Sequence, residues 1–233
     1  MTDASLFNLL AQGATDAVAV TAPSRPGLSF GALRSLVDGT LRTLNGLGIA
    51  RNDRVAIVLA NGPEMATCFM ACACGVASAP LNPSYRGDEF EFYLTDLNAK
   101  ALIVEAGSTS PAIEVALKLG VRVIDLVVAP DAPAGAFSLV PRDGQTAAPA
   151  ASATLAQPDD VSMVLHTSGT TSRPKIVPLS QRNLCASARH IARTLQFAAT
   201  DRGLNVMPLF HIHGLIAGDR KSTRLNSSHR LTS

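Results

Sequence analysis

The amino-acid sequence predicts an α/β fold in which a largely parallel sheet is layered with helices. Three observations lead there. Short apolar runs rich in β-branched residues alternate with longer stretches whose apolar residues fall at helical spacing, the pattern of strands joined by helical crossovers. The 233 residues are 47% hydrophobic and only 16% charged, which is enough apolar material for a full core at this length. No internal repeat is evident beyond the alternation itself.

The elements follow in chain order. Leu33, Leu36, Val37, Leu41, Leu44 and Leu47 make one apolar helical face, closed by Gly48. Arg54 to Leu59 (RVAIVL) reads as a buried strand. MATCFMACACGVASAP then reads as a helix entered through Pro63. The charge-free run Met65 to Leu81 is 17 residues long, rich in Ala, Cys and Gly, and ends at Pro80. That is short and weakly apolar for a membrane span, so a buried helix is expected. Asp88 to Leu97 predicts a further helix, Ala101 to Val104 a strand, Ser110 to Leu119 a helix and Val121 to Val128 a strand. Ala129 to Asp160 breaks the rhythm, with Ala or Pro at 15 of 32 positions, and is expected to be a loose surface excursion. Val161, Met163, Val164 and Leu165 read as a buried strand. Ile176 to Leu179 reads as a second short strand, because two β-branched residues precede a proline. Leu184, Ala188, Ile191 and Leu195 complete the order as an amphipathic helix.

Between the last two strands lies the most informative segment, HTSGTTSRPKIVPL from His166 to Leu179. Hydroxyl-bearing or glycine residues run unbroken from Thr167 to Ser172, with Pro174 and Lys175 following. Hydroxyls and exposed backbone N–H groups suit a polyphosphate, and Lys175 can reach into such a cradle as a point charge. A strand–loop–helix nucleotide loop would need a glycine before the lysine and Ser or Thr after it, followed by a helix. Pro174 and Ile176 break that pattern, which predicts a strand–loop–strand phosphate clamp instead. The alternative reading is a polar hairpin, since Ser, Thr and Gly dominate turns for local reasons. His166 precedes the run and reads as filling the strand end.

The segment resembles the phosphate-binding signature of the acyl-activating, adenylate-forming enzymes, whose pattern is close to [YF]TSGTTGxPKG. The match falls on Thr167, Ser168, Gly169, Thr170, Thr171, Pro174 and Lys175. A second element similar to that family follows at Met207 to Leu215 (MPLFHIHGL). SFGALRSL at Ser29 to Leu36, NDRVAI at Asn52 to Ile57 and PLNPSYRGDEFEFYLTDLNAKALIV at Pro80 to Val104 resemble its earlier segments in order. The resemblance covers nearly all of residues 5–218. Ser172 and Ile176 stand where glycine is usual, and HTSGTTSRPK followed by PLFHIHGL looks most like the subgroup with oxalate–CoA ligases. Ile176 in place of glycine is expected to stiffen the loop exit.

The resemblance implies an N-terminal adenylating domain over residues 1–218, here incomplete, belonging to an acid–CoA ligase. It implies a small carboxylic acid substrate joined to AMP from ATP with Mg²⁺, then passed to the thiol of coenzyme A. Thr167, Ser168, Gly169, Thr170, Thr171 and Lys175 would hold the ATP phosphates. Phe210, His211 and His213 would border the acyl pocket, the alternative for the histidines being packed, hydrogen-bonded side chains. The family's adenine, ribose and Mg²⁺ motifs and its C-terminal catalytic lysine would lie beyond Gly218. No catalytic residue and no metal ligand is therefore assigned, and residues 1–233 are expected to be inactive as a ligase. An adenylation domain loading a carrier protein, and a nucleotide-binding module without catalysis, are the competing readings.

From Asp219 the sequence turns to DRKSTRLNSSHRLTS, where the family continues with a Gly- and Leu-rich helix. That string resembles a translated sequencing-adapter read-through, so 219–233 is expected to be an artefact tail without order. Its Arg220, Lys221, Arg224 and Arg230 stand against Asp219, leaving 16 basic and 17 acidic side chains on residues 1–218. The net charge of +2 is thus no argument for nucleic acid or an anionic membrane. Cys68 and Cys72 share a helical face and Cys74 points elsewhere, without a second cluster at zinc spacing; buried thiols in a reducing compartment are expected. MTDASLFNLL has no basic region before its apolar residues and does not read as a signal peptide. A cytoplasmic location is expected, with a peroxisomal one open.

Overall fold

A computed structural model describes residues 4–144, 148–167, 174–212 and 214–215 of the chain. Helix α1 (Leu6–Ala11) starts at Ser5, whose hydroxyl accepts from the Asn8 N–H. Strands β1 (Val18–Ala22) and β2 (Arg25–Ser29) pair antiparallel as a separate two-stranded ribbon. Helix α2 (Phe30–Gly46) is capped by Ser29 and buries Leu33, Val37, Leu41 and Leu44, the face read from its spacing.

The main sheet holds seven strands in the order β7-β6-β5-β3-β4-β8-β9. They are β3 (Arg54–Val58), β4 (Ala77–Pro80), β5 (Ala101–Glu105), β6 (Arg122–Val127), β7 (Ser138–Pro141), β8 (Val161–Thr167) and β9 (Lys175–Ser180). From β6 across to β8 every pairing is parallel, and both edges are closed by antiparallel neighbours. Helices α3 (Pro63–Ala73), α4 (Gly87–Leu97) and α5 (Pro111–Lys118) make the crossovers, and α6 (Gln181–Thr194) follows β9. Pro178 is tolerated because β9 is an edge strand.

Strand alternation divides the core into two layers. Val55, Ile57 and Ile103 face α2 and α3, while Ala56, Val58, Leu102 and Val104 face Phe90, Leu94 and Leu97 of α4 and Ala112 of α5. Both faces are covered, so the strands read as continuous apolar runs.

Two expectations from the sequence need correction. Met65 to Leu81 is not one helix: α3 ends at Ala73, and Ala77–Pro80 forms the fully buried strand β4. The break falls at Gly75, where a Cβ would lie 2.5 Å from Leu41 and 2.8 Å from the Thr154 carbonyl. The Ala/Pro-rich stretch is also more firmly held than its composition suggested. It contains β7, and Gly135 (φ +86) donates its N–H to Glu64 at 3.0 Å while its carbonyl accepts from Thr67 at 2.7 Å. Glu64 in turn pairs with Arg25 at 2.6 Å. The tail from Asp219 lies outside the described residues.

Polar contacts fix the β8–β9 hairpin to this framework. Asp160, at its base, accepts from Arg51 at 2.5 and 3.0 Å, from Asn52 at 2.9 Å and from the Gln157 N–H at 2.6 Å. The Ala73 carbonyl accepts from the Ser162 hydroxyl at 2.9 Å and from the Gln181 side-chain amide, and Gln181 Oε1 accepts from the Leu6 N–H at 2.9 Å.

Gln181 is fully buried, so Gln181→Leu strands the Leu6 N–H and leaves the Ala73 carbonyl to the Ser162 hydroxyl alone. The expected loss of stability is about 3 kcal/mol by urea unfolding; a loss under about 1 kcal/mol contradicts the tether. The Arg51 guanidinium holds the Asp160 carboxyl down at about 2, against an ordinary 3.8. A depressed carboxylate stabilises the fold above its unfolded value and loses that contribution as pH falls through the folded one. Acid unfolding is therefore expected to steepen between pH 3.8 and about 2, and the step should vanish in Asp160→Asn.

Candidate functional site

The strand–loop–strand arrangement is present. In the β8–β9 ladder Thr167 stands opposite Lys175, His166 opposite Ile176, and Leu165 opposite Val177. Thr167 and Lys175, both exposed, are therefore neighbours across the mouth of the connection 168–173. Ser168, Gly169, Thr170 and Thr171 lie outside the described residues, as does His213. Because β8 runs parallel to β4, its Thr167 end is on the carboxyl rim of the parallel sheet, where open α/β sheets bind ligands.

The segment carrying Phe210 and His211 reaches the same rim through an asparagine latch. Asn61, just beyond β3, accepts from the Leu209 N–H at 2.8 Å and donates to the Met207 carbonyl at 3.3 Å. Leu209 is thereby set into the core layer under α3. Asn205 closes the segment from its other side, accepting from the Met207 N–H at 2.9 Å and donating to Gly214 O at 3.0 Å. Gly214 is required there, since a Cβ would collide with the Pro208 carbonyl. Phe210 is half-buried against the exposed His211, ring centroids 4.5 Å apart. Neither asparagine was singled out by sequence reading; the only local signal for Asn61 is an Asn-Gly pair directly after a strand.

Only β4 separates β3 from β8, so the strand preceding Asn61 and the strand carrying Thr167 lie two strand spacings apart, about 10 Å, with Lys175 on β9 one spacing further. A third feature of this rim is a groove of about 460 Å³ between β3 and β5, bordered by Val58, Ala60, Pro83, Glu105, Gly107 and Ser110. The strand order reverses at this point, making it the topological switch of the sheet.

His166 does more than fill the strand end. Its Nε2–H donates to Asp96 Oδ2 at 3.0 Å, and its ring meets Tyr93 edge-on at 4.7 Å. Burial pushes the imidazole below its ordinary value, outweighing the opposing pull of Asp96, and Arg54 adds to the lowering. The ring is therefore neutral at pH 7, and Nε2 carries the proton because a carboxylate can only accept. Burial and the hydrogen bond with Tyr93 push the Tyr85 phenol upward. Cys68, Cys72, Cys74 and Cys185 are free and buried, and burial raises the Cys74 and Cys185 thiols, which keeps them unreactive. Among the described residues no three His, Cys, Asp or Glu side chains are grouped to hold a metal ion. No helix among them is long and apolar enough to cross a membrane.

Known proteins resemble this chain in sequence and in fold. An oxalate–CoA ligase of Arabidopsis thaliana is 37% identical over 216 residues, an alignment covering 91% of this chain and 41% of the plant protein. A probable CoA ligase of Humulus lupulus is 38% identical over 193 residues, covering 82% of this chain and 36% of its own length. The chain thus spans about two fifths of the curated relatives it matches. Among solved structures, apo MatB from Rhodopseudomonas palustris superposes with a TM-score of 0.76 at 26% identity, over 94% of this chain and 43% of MatB. The same TM-score is found for ATP-bound MatB. The AMP-binding enzyme family matches residues 8–218, and the chain belongs to that family of adenylate-forming ligases.

Proposed function

We propose that this chain is the phosphate-gripping part of an AMP-forming acid–CoA ligase acting on a small carboxylic acid. The observation that carries this reading is the pairing of Thr167 with Lys175 at the carboxyl rim, at the mouth of a hydroxyl-rich connection. Likeness to an oxalate–CoA ligase and to an ATP-bound structure supports both the acid and the nucleotide.

The chemical difficulty of the first step is charge, since a carboxylate must approach the α-phosphorus of a triphosphate before pyrophosphate can leave. Thr167, Ser168, Thr170 and Thr171 supply hydroxyl donors, the backbone at Gly169 supplies close approach, and Lys175 supplies a full positive charge for the β- and γ-phosphates. Phe210, His211 and His213 border the carboxylate, with His211 free to orient it. The activated acyl group then passes to the coenzyme A thiol. The donors on the described residues fit a phosphate chain. They do not form a ligand set for Mg²⁺, so no step is assigned through the metal. The buried thiols suit a reducing compartment, cytoplasmic or peroxisomal.

Lys175 is exposed, so its replacement should leave the fold intact. Lys175→Ala is expected to weaken binding of Mg-tripolyphosphate to residues 1–233 by about tenfold or more, with partial recovery in Lys175→Arg. Titration calorimetry with an unchanged melting temperature checks this, and equal affinities for the wild type and Lys175→Ala would falsify the clamp. Residues 1–233 alone should show no carboxylate-dependent pyrophosphate exchange above background. Clear exchange would mean that adenylation needs no more than this part of the chain.

A further inference from the structure

We propose that the His166–Asp96 pair is a positioning device that sets where Thr167 and Lys175 stand on the carboxyl rim. This rests on the phosphate-binding reading above. β8 shares a single register pair with β4, Ser78 with Met163, and beyond it residues 164–167 pair only with the edge strand β9. A two-stranded ribbon twists readily and is marginal by itself, so its tip depends on side chains for a fixed place.

His166 provides that attachment. It is the residue before Thr167, and its cross-strand partner Ile176 is the residue after Lys175. The Nε2–H bond to Asp96 joins the ribbon to α4 across 70 residues of sequence. The ring is also packed: Tyr93 meets it edge-on and stacks in turn on Tyr85 at 4.7 Å and 11°. As a result only 6% of the His166 side chain is exposed, although it sits near a strand end on the rim. Ile176 packs into the same core layer, beneath α4 and α5. Successive residues of a strand point to opposite faces, so Thr167 and Lys175 point away from the face His166 and Ile176 occupy. The pair therefore holds the ribbon from behind and leaves the phosphate side open.

An imidazole combines two attachments here, ring packing and a directed N–H. A phenyl ring at the same place keeps only the first, which allows the second to be isolated. Asp96 is itself suitable for substitution, being 40% exposed on α4, and alanine is the better helix former.

The test uses residues 1–233 at pH 8 with four variants: Asp96→Ala, Asp96→Asn, His166→Phe, and Asp96→Ala combined with His166→Phe. Two quantities are read, the affinity for Mg-tripolyphosphate and the amide exchange rates of Thr167 and Lys175. Asp96→Ala is expected to weaken binding about fivefold and to speed exchange by a similar factor. Asp96→Asn keeps an acceptor and should retain both values. In the His166→Phe background, Asp96→Ala should change neither. If the wild type binds and Asp96→Ala alters neither quantity, the positioning role is overturned. It is equally overturned if Asp96→Ala costs the same on both backgrounds, because the effect then does not pass through His166. A wild type that fails to bind tripolyphosphate sinks the phosphate reading instead, and the exchange rates still decide whether the pair fixes the ribbon.

Discussion

The carbonyl of Ala73 is the contact on which the rest of this molecule turns. It is one of the last acceptors of α3, a position left without a partner inside the helix, and it is buried where water cannot serve it. Ser162 of β8 and Gln181 of α6 both donate to it, and Gln181 simultaneously receives the Leu6 N–H at the start of α1. One helix end thus collects the hairpin, the last helix and the first helix at a single buried point. A buried acceptor left alone costs about 1–3 kcal/mol, so each participant is held by the cost of its absence rather than by strong attraction. This matters because the backbone ladder between β4 and β8 is so short. The β8–β9 hairpin, to which the proposed function assigns phosphate binding, is placed largely by side chains, through Asp160, Ser162 and Gln181 at its base and His166 near its tip.

That placement has an electrostatic consequence. In a strand–loop–helix nucleotide site the positive end of the helix dipole faces the phosphates. Here the connection returns as β9, and α6 begins only at Gln181, at the opposite end of the hairpin. Six residues of strand put that helix terminus about 20 Å from the loop mouth, well beyond the reach of a terminal dipole. On the proposed phosphate-binding reading, the negative charge of a triphosphate would be met by donors in the 168–173 connection and by Lys175. The unbroken hydroxyl and glycine run from Thr167 to Ser172 would suit that demand.

Sequence reading recovered the elements whose burial is local and periodic. The α2 face, the RVAIV strand and the β8–β9 pair all declare themselves within a few residues. It failed where the deciding contact was remote. β4 is four small or cyclic residues, ASAP, and nothing in so short an apolar run separates a strand from the end of a helix. The reason for the break, Gly75 pressed against Leu41 and Thr154, is visible only in three dimensions. The β1–β2 ribbon is hidden in the sequence because its residues are mostly half-buried or exposed, with Pro26 inside β2, so it shows no clean alternation. At the candidate site, Thr167, Lys175, Phe210 and His211 were legible as motif residues. Their supports were not, since Asn61 reaches Leu209 across 148 positions and Asp160 reaches Arg51 across 109.

The two departures from the glycine pattern around the loop take on different meanings once the ladder is known. Ile176 faces the layer beneath α4 and α5, opposite His166, and is partly buried there. A glycine at that place would contribute no apolar surface, and the hold of β9 on the layer beneath α4 and α5 would be lost, leaving Val164 and His166 of β8 to anchor that face. The isoleucine therefore does more than limit backbone freedom at the loop exit; it gives the edge strand its own hold on the core. Held on both strands from one face, the ribbon can present Thr167 and Lys175 on the other with little reorganisation, as the proposed phosphate binding would need. Preorganisation of this kind lowers the ordering cost that binding would otherwise meet. On this argument the stiff exit at Ile176 and the packed imidazole at His166 are two halves of one solution, each compensating for a strand that leaves its parallel neighbour early.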